Sequence, residues 1–253
     1  MLVGAKMRFL LVLLLFVGVA TAQVTDLAVL RSRIEQGDFL SAIPKLEAHV
    51  KVRPSDAEAY FLLSRALYLA GGAVYLSRAE DAINQCFRLS NLPRPESYWQ
   101  RGLIRAGTNR FKDALLDLRV ASSSSTRANP KEVYRYAMDW GAVAWRSGDL
   151  TQALEAYRRA VRLDPIQALP WLHQGTLLLS LEDAKEAEAA LSKAIGLMQA
   201  QKHPALAEAF YWRGVALERQ NKLEAAKENY RRALEQNPSH VAAKMALEAL
   251  TSK

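Results

Sequence analysis

A repeat of 34 residues constrains the fold of this chain more than any other feature of its 253-residue sequence. Three small residues of the segment 140–165 recur 34 residues further on, as the pairs Gly141/Gly175, Ala153/Ala187 and Ala160/Ala194, and at the same distance the large residue Tyr157 is matched by Leu191. A fixed period of this length is typical of a repeat array, in which each unit buries its apolar stripe only against its neighbours. The sequence therefore predicts stacked repeats rather than one closed core.

These residues resemble the tetratricopeptide repeat, a helix–turn–helix unit with the pattern W-x2-L-G-x2-Y, then A-x3-F, then P. One unit carries the pattern as Trp171, Gln174-Gly175, Leu178, Ala187 and Leu191, and the unit before it as Ala137, Trp140-Gly141, Ala144, Ala153, Tyr157 and Pro165. Glycine in the pattern lets helix A approach helix B closely. The resemblance implies an all-α fold, a right-handed superhelix (α-solenoid) of helix pairs called A and B.

About six repeats fit the chain, followed by a terminal helix. We place the repeats at 23–56, 57–94, 95–128, 134–167, 168–201 and 207–240, and a solubilising capping helix at 241–253. The pair Gly71-Gly72 is expected to open a longer turn in the second repeat. Asn129-Pro130 and Glu132 are expected to cap the helix that follows a polar loop.

Residues 1–22 have the three parts of a secretory signal peptide. Lys6 and Arg8 supply the positive charge, 9–19 is an apolar core of 11 residues, and Ala20-Thr21-Ala22 is a cleavage site of small residues. The alternative is a membrane anchor, but a spanning helix needs roughly 20 apolar residues. We expect cleavage after Ala22 and a periplasmic or secreted protein, whether translation starts at Met1 or at Met7.

Composition and motifs argue against catalysis, a cofactor or a metal site. No phosphate-binding, zinc-protease, nucleophile-elbow, C-x-x-C or dinucleotide motif is present, and the four histidines lack ligand spacing. The single cysteine, Cys86, is predicted to be an inert buried residue. His49 is predicted to be a satisfied core histidine. The net charge of +8 is interspersed along helices, which indicates a moderately basic surface rather than a polyanion-binding stripe.

The resemblance directs attention to the concave groove, which a stripe from every A helix lines. Counting at helical spacing gives the candidate partner-binding residues Arg65, Gln100, Arg135, Asp139, Arg146, His173, Trp212 and Arg219. Trp212 stands out because a large aromatic residue there has no packing role within its own repeat. Together with nearby arginines it suits a protein or peptide with apolar and acidic groups. The alternative is that the C-terminal helix or the segment 199–203 covers Trp212.

The functional prediction is a non-catalytic scaffold or adaptor in the cell envelope that binds a peptide or protein partner in this groove. One alternative is a helical-repeat protein that binds nucleic acid, although the base-reading positions of such repeats are absent and export argues against it. Another is an enzyme with unrecognised chemistry. The sequence does not choose among envelope pathways such as secretion, pilus assembly or cytochrome biogenesis.

Overall fold

The structure, a computed structural model, describes residues 26–123 and 129–252. Within these ranges there are thirteen helices and no strand, so the all-α prediction is confirmed. The predicted signal peptide at 1–22 and part of the polar loop before Asn129 lie outside the described residues. The helices are α1 Leu27–Glu35, α2 Phe39–Val52, α3 Ala57–Ala70, α4 Gly72–Leu89, α5 Pro95–Gly107, α6 Phe111–Ser123, α7 Pro130–Arg146, α8 Leu150–Leu163, α9 Ala168–Ser180, α10 Ala184–Gln201, α11 Leu206–Arg219, α12 Leu223–Gln236 and α13 Val241–Thr251.

Local sequence explains where many of these helices begin and end. Asp side chains at the N-caps of α1, α3, α8 and α10 each accept a hydrogen bond from a backbone N–H group of the first turn. The predicted cap of α7 is confirmed, since Asn129 and Glu132 form a reciprocal capping box with Pro130 in the first turn. The A–B turns use left-handed backbone at Gly37, Asn109, Gly148, Glu182 and Asn221.

The chain divides into two compact units, with the boundary between Leu92 and Pro93. In the first unit, helices α1 to α4 pack around buried side chains that include Leu46, Phe61 and Ile83. The prediction of a longer turn at Gly71-Gly72 is wrong. Helix α4 begins at Gly72 itself, so the additional residues extend the helix to 18 residues, compared with 14 in α2.

In the second unit, which runs from α5 to α13, each helix packs against the next one in the chain. A continuous core runs through these layers, with Trp140, Tyr136 and Leu177 among its fully buried side chains. The last helix contributes Leu250 to a smaller cluster with Leu217 and Tyr230. None of the helices in the described ranges is both long and apolar enough to cross a membrane.

The regular spacing of glycine in the repeats has a steric cause. A Cβ atom at Gly141 would lie 2.7 Å from ring atoms of Tyr157, and one at Gly102 would lie 2.7 Å from Cγ of Leu118. Gly175 and Gly214 face Leu191 and Tyr230 in the same way. The A helix of each of these four repeats therefore lies against a large side chain of its own B helix, as the period predicts.

Candidate functional site

Seven of the eight predicted partner-binding residues lie in the second unit, and Arg65 lies on α3 in the first. The seven belong to the A helices α5, α7, α9 and α11. Their contacts run mainly between successive A helices, along lines that we call the A-helix seams: α5/α7, α7/α9 and α9/α11. Gln100 on α5 is 0% exposed, so its side chain is not on the surface in this structure.

At the α5/α7 seam, Arg135 and Asp139 both contact Trp99. The Arg135 guanidinium lies 4.4 Å from the centre of the Trp99 ring, and the Asp139 carboxylate accepts a hydrogen bond of 2.7 Å from the indole N–H. Trp99 itself is buried, and its ring lies 5.4 Å from that of Tyr136. Of this group, Arg135 is the exposed member and Asp139 is half-buried.

Arg146 and Arg219 have the same structural role at two different seams. Arg146 Nη2 donates to the carbonyl oxygen of Ala106 at 2.7 Å, and Arg219 Nη1 donates to that of Leu179. Both acceptors are at the C-terminal end of the preceding A helix, where carbonyl groups lack an intrahelical partner and the helix dipole favours a cation. Both arginines remain exposed, so each couples two repeats and still presents positive charge.

The α7/α9 seam contains an aromatic cluster of Trp145, Tyr157 and His173. The rings of Tyr157 and His173 are stacked with centres 4.9 Å apart, and the Trp145 ring meets His173 edge-on at 6.2 Å. Burial lowers the pKa of His173, which favours the neutral imidazole. Trp145 is 38% exposed and is the accessible aromatic surface of this cluster.

Sequence reasoning missed Trp145. The residue 34 positions later is Leu179, which is 2% exposed, so the repeat register marks this position as a packing position. The residue type was the available signal, because a tryptophan beside Arg146 is larger than the leucine that fills the equivalent space.

Trp212 is half-buried and packs against the continuous core of the second unit, so the expectation that it has no packing role is wrong. Its indole N–H donates to Glu208 at 2.5 Å, and its ring lies 5.0 Å from that of Tyr211. The second oxygen of Glu208 contacts His240, the N-cap residue of α13, at 3.1 Å. The ring that packs on His240 is that of Tyr211, at 5.0 Å, so the C-terminal helix meets Trp212 through Glu208 rather than by covering it.

The described part of the chain contains no group of three or more His, Cys, Asp or Glu side chains that could hold a metal ion. Cys86 is buried, as predicted. His49 is 7% exposed and contacts Asp56 at 2.8 Å, which agrees with the prediction of a satisfied core histidine. Burial alone would raise the pKa of Asp56, but hydrogen bonds from His49 and from the Ala59 N–H group lower it.

Comparison with known proteins agrees with this architecture. Two family models described as tetratricopeptide repeat match residues 207–240 and residues 30–82 and 138–201, together more than half of the chain. No curated protein sequence matches.

Three solved structures illustrate the likeness of the fold. YrrB, described as a TPR protein with an unusual peptide-binding site, has a TM-score of 0.64 at 20% identity, over 80% of this chain and 97% of its own. PilF of Pseudomonas aeruginosa has a TM-score of 0.64 at 16% identity, over 90% and 96%. MamA of Desulfovibrio magneticus RS-1 has a TM-score of 0.57 at 18% identity, over 73% and 96%.

Proposed function

The chain belongs to the tetratricopeptide-repeat family, and from that premise we propose that it is a non-catalytic scaffold of the cell envelope that binds a partner protein along its A-helix seams. The bound part of the partner is a peptide segment with an apolar side chain and acidic groups. The observation that carries the proposal is the exposure of Trp145, whose ring contacts His173 and which directly precedes Arg146 in the sequence.

An exposed tryptophan supports this function because a large aromatic side chain left 38% accessible contributes less to the fold than a buried one, and it can bury the remainder against a partner. Tryptophan and arginine are the residue types that most often dominate binding energy at protein interfaces. Because burial favours the neutral form of His173, which contacts the indole edge-on, the cluster is free of a buried charge. A partner side chain that packs on Trp145 therefore meets an aromatic surface rather than an ionised one.

The arginines supply the charge preference. None of Arg135, Arg146 and Arg219 is paired with a carboxylate among the described residues; they contact an aromatic ring or backbone carbonyl groups instead. Each guanidinium has five N–H donors in a planar fork, and one carbonyl uses only one of them. Acidic side chains of a partner can accept from the rest, and such contacts mainly raise the association rate at low salt.

The envelope location rests on the sequence of residues 1–22. N-terminal sequencing of the protein purified from its own cells is expected to start at Gln23. A protein that retains Met1 or Met7 would contradict the location and leave the binding surface unaffected.

Site-specific photocrosslinking tests the binding surface in cells that express the protein. Ala142 is exposed on α7, one helical turn before Trp145, and Ala189 is an exposed alanine on the B helix α10. A photoreactive amino acid at position 142 is expected to give a discrete protein adduct, and the same amino acid at position 189 is expected to give none. The substitution Trp145→Ala should remove the position-142 adduct.

The outcome that contradicts the proposal is an adduct of equal yield at positions 142 and 189, or one at 142 that persists in the Trp145→Ala protein. With a partner in hand, Trp145→Ala should weaken binding by about 2 kcal/mol or more if the residue is a hot spot. Circular dichroism of the same variant checks that the helices remain, so that loss of binding is not loss of fold.

A further inference from the structure

The third repeat contains a buried carboxylate bound by two arginines. The guanidinium of Arg101 on α5 lies 5.6 Å from the centre of the Tyr98 ring and donates to both oxygens of Asp117 on α6, at 2.8 and 2.7 Å. Arg105 also donates to Asp117, at 2.7 Å, and Asp117 is only 4% exposed. Pairing of an arginine with both oxygens of a carboxylate is among the strong charge-assisted hydrogen bonds. This place between an A helix and its own B helix therefore holds a carboxylate well.

The sixth repeat has the same arrangement without the acid. Counted from the repeat glycine, the equivalent aromatic, basic and acidic positions hold Phe210, Arg213 and Asn229. Arg213 lies 5.6 Å from the centre of the Phe210 ring and donates through Nε to Oδ1 of Asn229 at 2.7 Å. The amide nitrogen of Asn229 donates to the carbonyl oxygen of Ala225, also at 2.7 Å. Asn229 therefore offers one acceptor where Asp117 offers two, and it carries no charge.

Arg213 retains donors and a charge that the described residues do not satisfy. None of them accepts a hydrogen bond from its Nη groups, and none forms an ion pair with it. Burial lowers the pKa of Arg213, and the positive charge of Arg232 adds to this effect, whereas Glu188 opposes it. Glu188 is itself bound by Lys222 Nζ at 2.8 Å and by Gln220 Nε2 at 2.9 Å. A cation that is partly removed from water is stabilised by the approach of an anion.

Arg232 brings a second guanidinium group to the same ring. It lies on α12 at 6.0 Å from the centre of Phe210 and is exposed to solvent, while Arg213 is half-buried. Its Nε donates to one oxygen of Glu228 at 2.9 Å, and Arg231 lies 3.8 Å from the other oxygen. Because two arginines share this one acid, positive charge remains in excess beside Arg213.

The repeat fold does not require this cluster. In the fourth and fifth repeats, the positions of the arginine and the asparagine hold the pairs Trp140/Ala156 and Gln174/Ala190. These repeats pack with an uncharged residue at both positions, so the requirements of the fold do not explain an arginine at position 213.

We propose that Arg213 and Arg232 form a binding site for a carboxylate group, which an acidic side chain of a partner protein supplies. The carboxylate accepts from the Nη groups of Arg213 and lies beside the guanidinium of Arg232, so it provides from outside the charge that Asp117 provides within the third repeat. The site lies between α11 and α12, a helix pair of one repeat, whereas the A-helix seams join successive repeats. The proposal does not depend on the proposed function.

The test uses the full chain with nitrogen-15 in its arginine side chains, followed by NMR of the Nε–H groups. An Arg213→Lys sample identifies the Arg213 resonance. The probes are N-acetyl-aspartate amide and its uncharged analogue N-acetyl-asparagine amide, titrated at one fixed ionic strength. The aspartate probe should shift the Arg213 resonance saturably, and the asparagine probe should not. Inorganic phosphate is titrated in parallel, and a saturable shift with phosphate but none with aspartate would overturn the assignment to a carboxylate.

Three variants test the site itself. Asn229→Asp gives the sixth repeat the acid of the third with almost no change in shape. The new carboxylate should pair with Arg213 and weaken binding of the aspartate probe by about tenfold or more. Arg232→Gln should weaken binding by about threefold, whereas Arg231→Gln, which removes the same charge from the neighbouring exposed position, should weaken it by less than about twofold.

Undiminished binding in Asn229→Asp would overturn the proposal, as would equal shifts with the aspartate and asparagine probes or no shift with either. Equal losses in Arg232→Gln and Arg231→Gln would also overturn it, because the probe would then respond only to the general positive charge of the surface. If Asn229→Asp disturbs the fold, as judged by circular dichroism, the comparison of Arg232→Gln with Arg231→Gln decides.

Discussion

Replacing Gly141 by alanine should destabilise the second unit, whereas replacing Gly196 by alanine should stabilise it. Both glycines lie inside helices, in α7 and α10, so alanine gains the same helix propensity at both, about 1 kcal/mol. Their surroundings differ. A Cβ at Gly141 would meet three ring atoms of Tyr157 at 2.7 to 2.9 Å, whereas one at Gly196 would meet nothing within 4 Å.

The expected magnitudes follow from these contacts. Forcing a methyl group into a packed core costs about 1–3 kcal/mol, and Tyr157 is 2% exposed and cannot move aside freely. Close contact with three atoms of a rigid ring indicates the upper part of that range, so Gly141→Ala should lower the free energy of unfolding by about 1–2 kcal/mol net. Gly196→Ala should raise it by about 0.5–1 kcal/mol.

Urea denaturation followed by tryptophan fluorescence measures both free energies under one set of conditions. The double variant Gly141→Ala with Tyr157→Ala tests the cause. Compared with the single variant Tyr157→Ala, it should lose no stability, because the ring that the added methyl group would meet is absent. The reasoning is refuted if Gly141→Ala stabilises the protein as much as Gly196→Ala does, or if the cost persists without the ring.

Three further predictions concern a turn, a histidine and the terminal helix. Glu182 has φ of 63°, a left-handed conformation that costs an L-residue roughly 1–2 kcal/mol. Glu182→Gly should therefore raise the free energy of unfolding by about 0.5–1 kcal/mol in a urea titration. Gly148 has φ of 81°, so Gly148→Ala should lower the free energy of unfolding. Burial lowers the pKa of His173, so below its ordinary value near 6.5 the unfolded chain binds a proton that the folded chain does not. Stability should therefore fall as pH drops from 7 to 5, by less than about 1.4 kcal/mol per pH unit from this group, and a matching decline in His173→Phe would contradict this origin. Deleting 241–253 should expose Leu217 and Tyr230 to solvent. Size-exclusion chromatography should then show association of the truncated protein, while circular dichroism shows little loss of helix beyond α13 itself. A truncated protein that remains monomeric would mean that the segment is not a cap.

The repeat period was sufficient to predict most of the fold. It places Gly102, Gly141, Gly175 and Gly214 against large B-helix side chains, and the structure has those contacts. It did not predict the start of α4, because a longer gap between repeats can be filled by a longer turn or by a longer helix. Glycine favours the turn, but the residues after Gly72 continue the helical pattern, and the helix extends to include them.

The candidate site was predictable only in outline. Helical spacing selects a face of each A helix, but neighbouring residues point about 100° apart around the axis. Spacing alone therefore did not show that Trp145 contacts the following A helix and Arg146 the preceding one. Spacing also cannot show that a backbone carbonyl accepts from Arg146 or Arg219, because every residue carries such a carbonyl. Gln100 shows the same limit, since it has a surface-type side chain in the predicted stripe and is fully buried.

The contacts along the A-helix seams have a consequence for specificity. Arg135, Asp139 and Arg146 each have an internal partner, so the surface is satisfied when it is empty. A partner that breaks these contacts gains only the difference between its interactions and the internal ones, which limits affinity. A partner that lacks the matching group leaves the seams undisturbed and gains almost nothing from them. Discrimination should therefore come from the residues that break the repeat pattern, Trp99, Arg135 and Trp145, whereas the glycines and alanines of the repeat set only the spacing at which those residues are held.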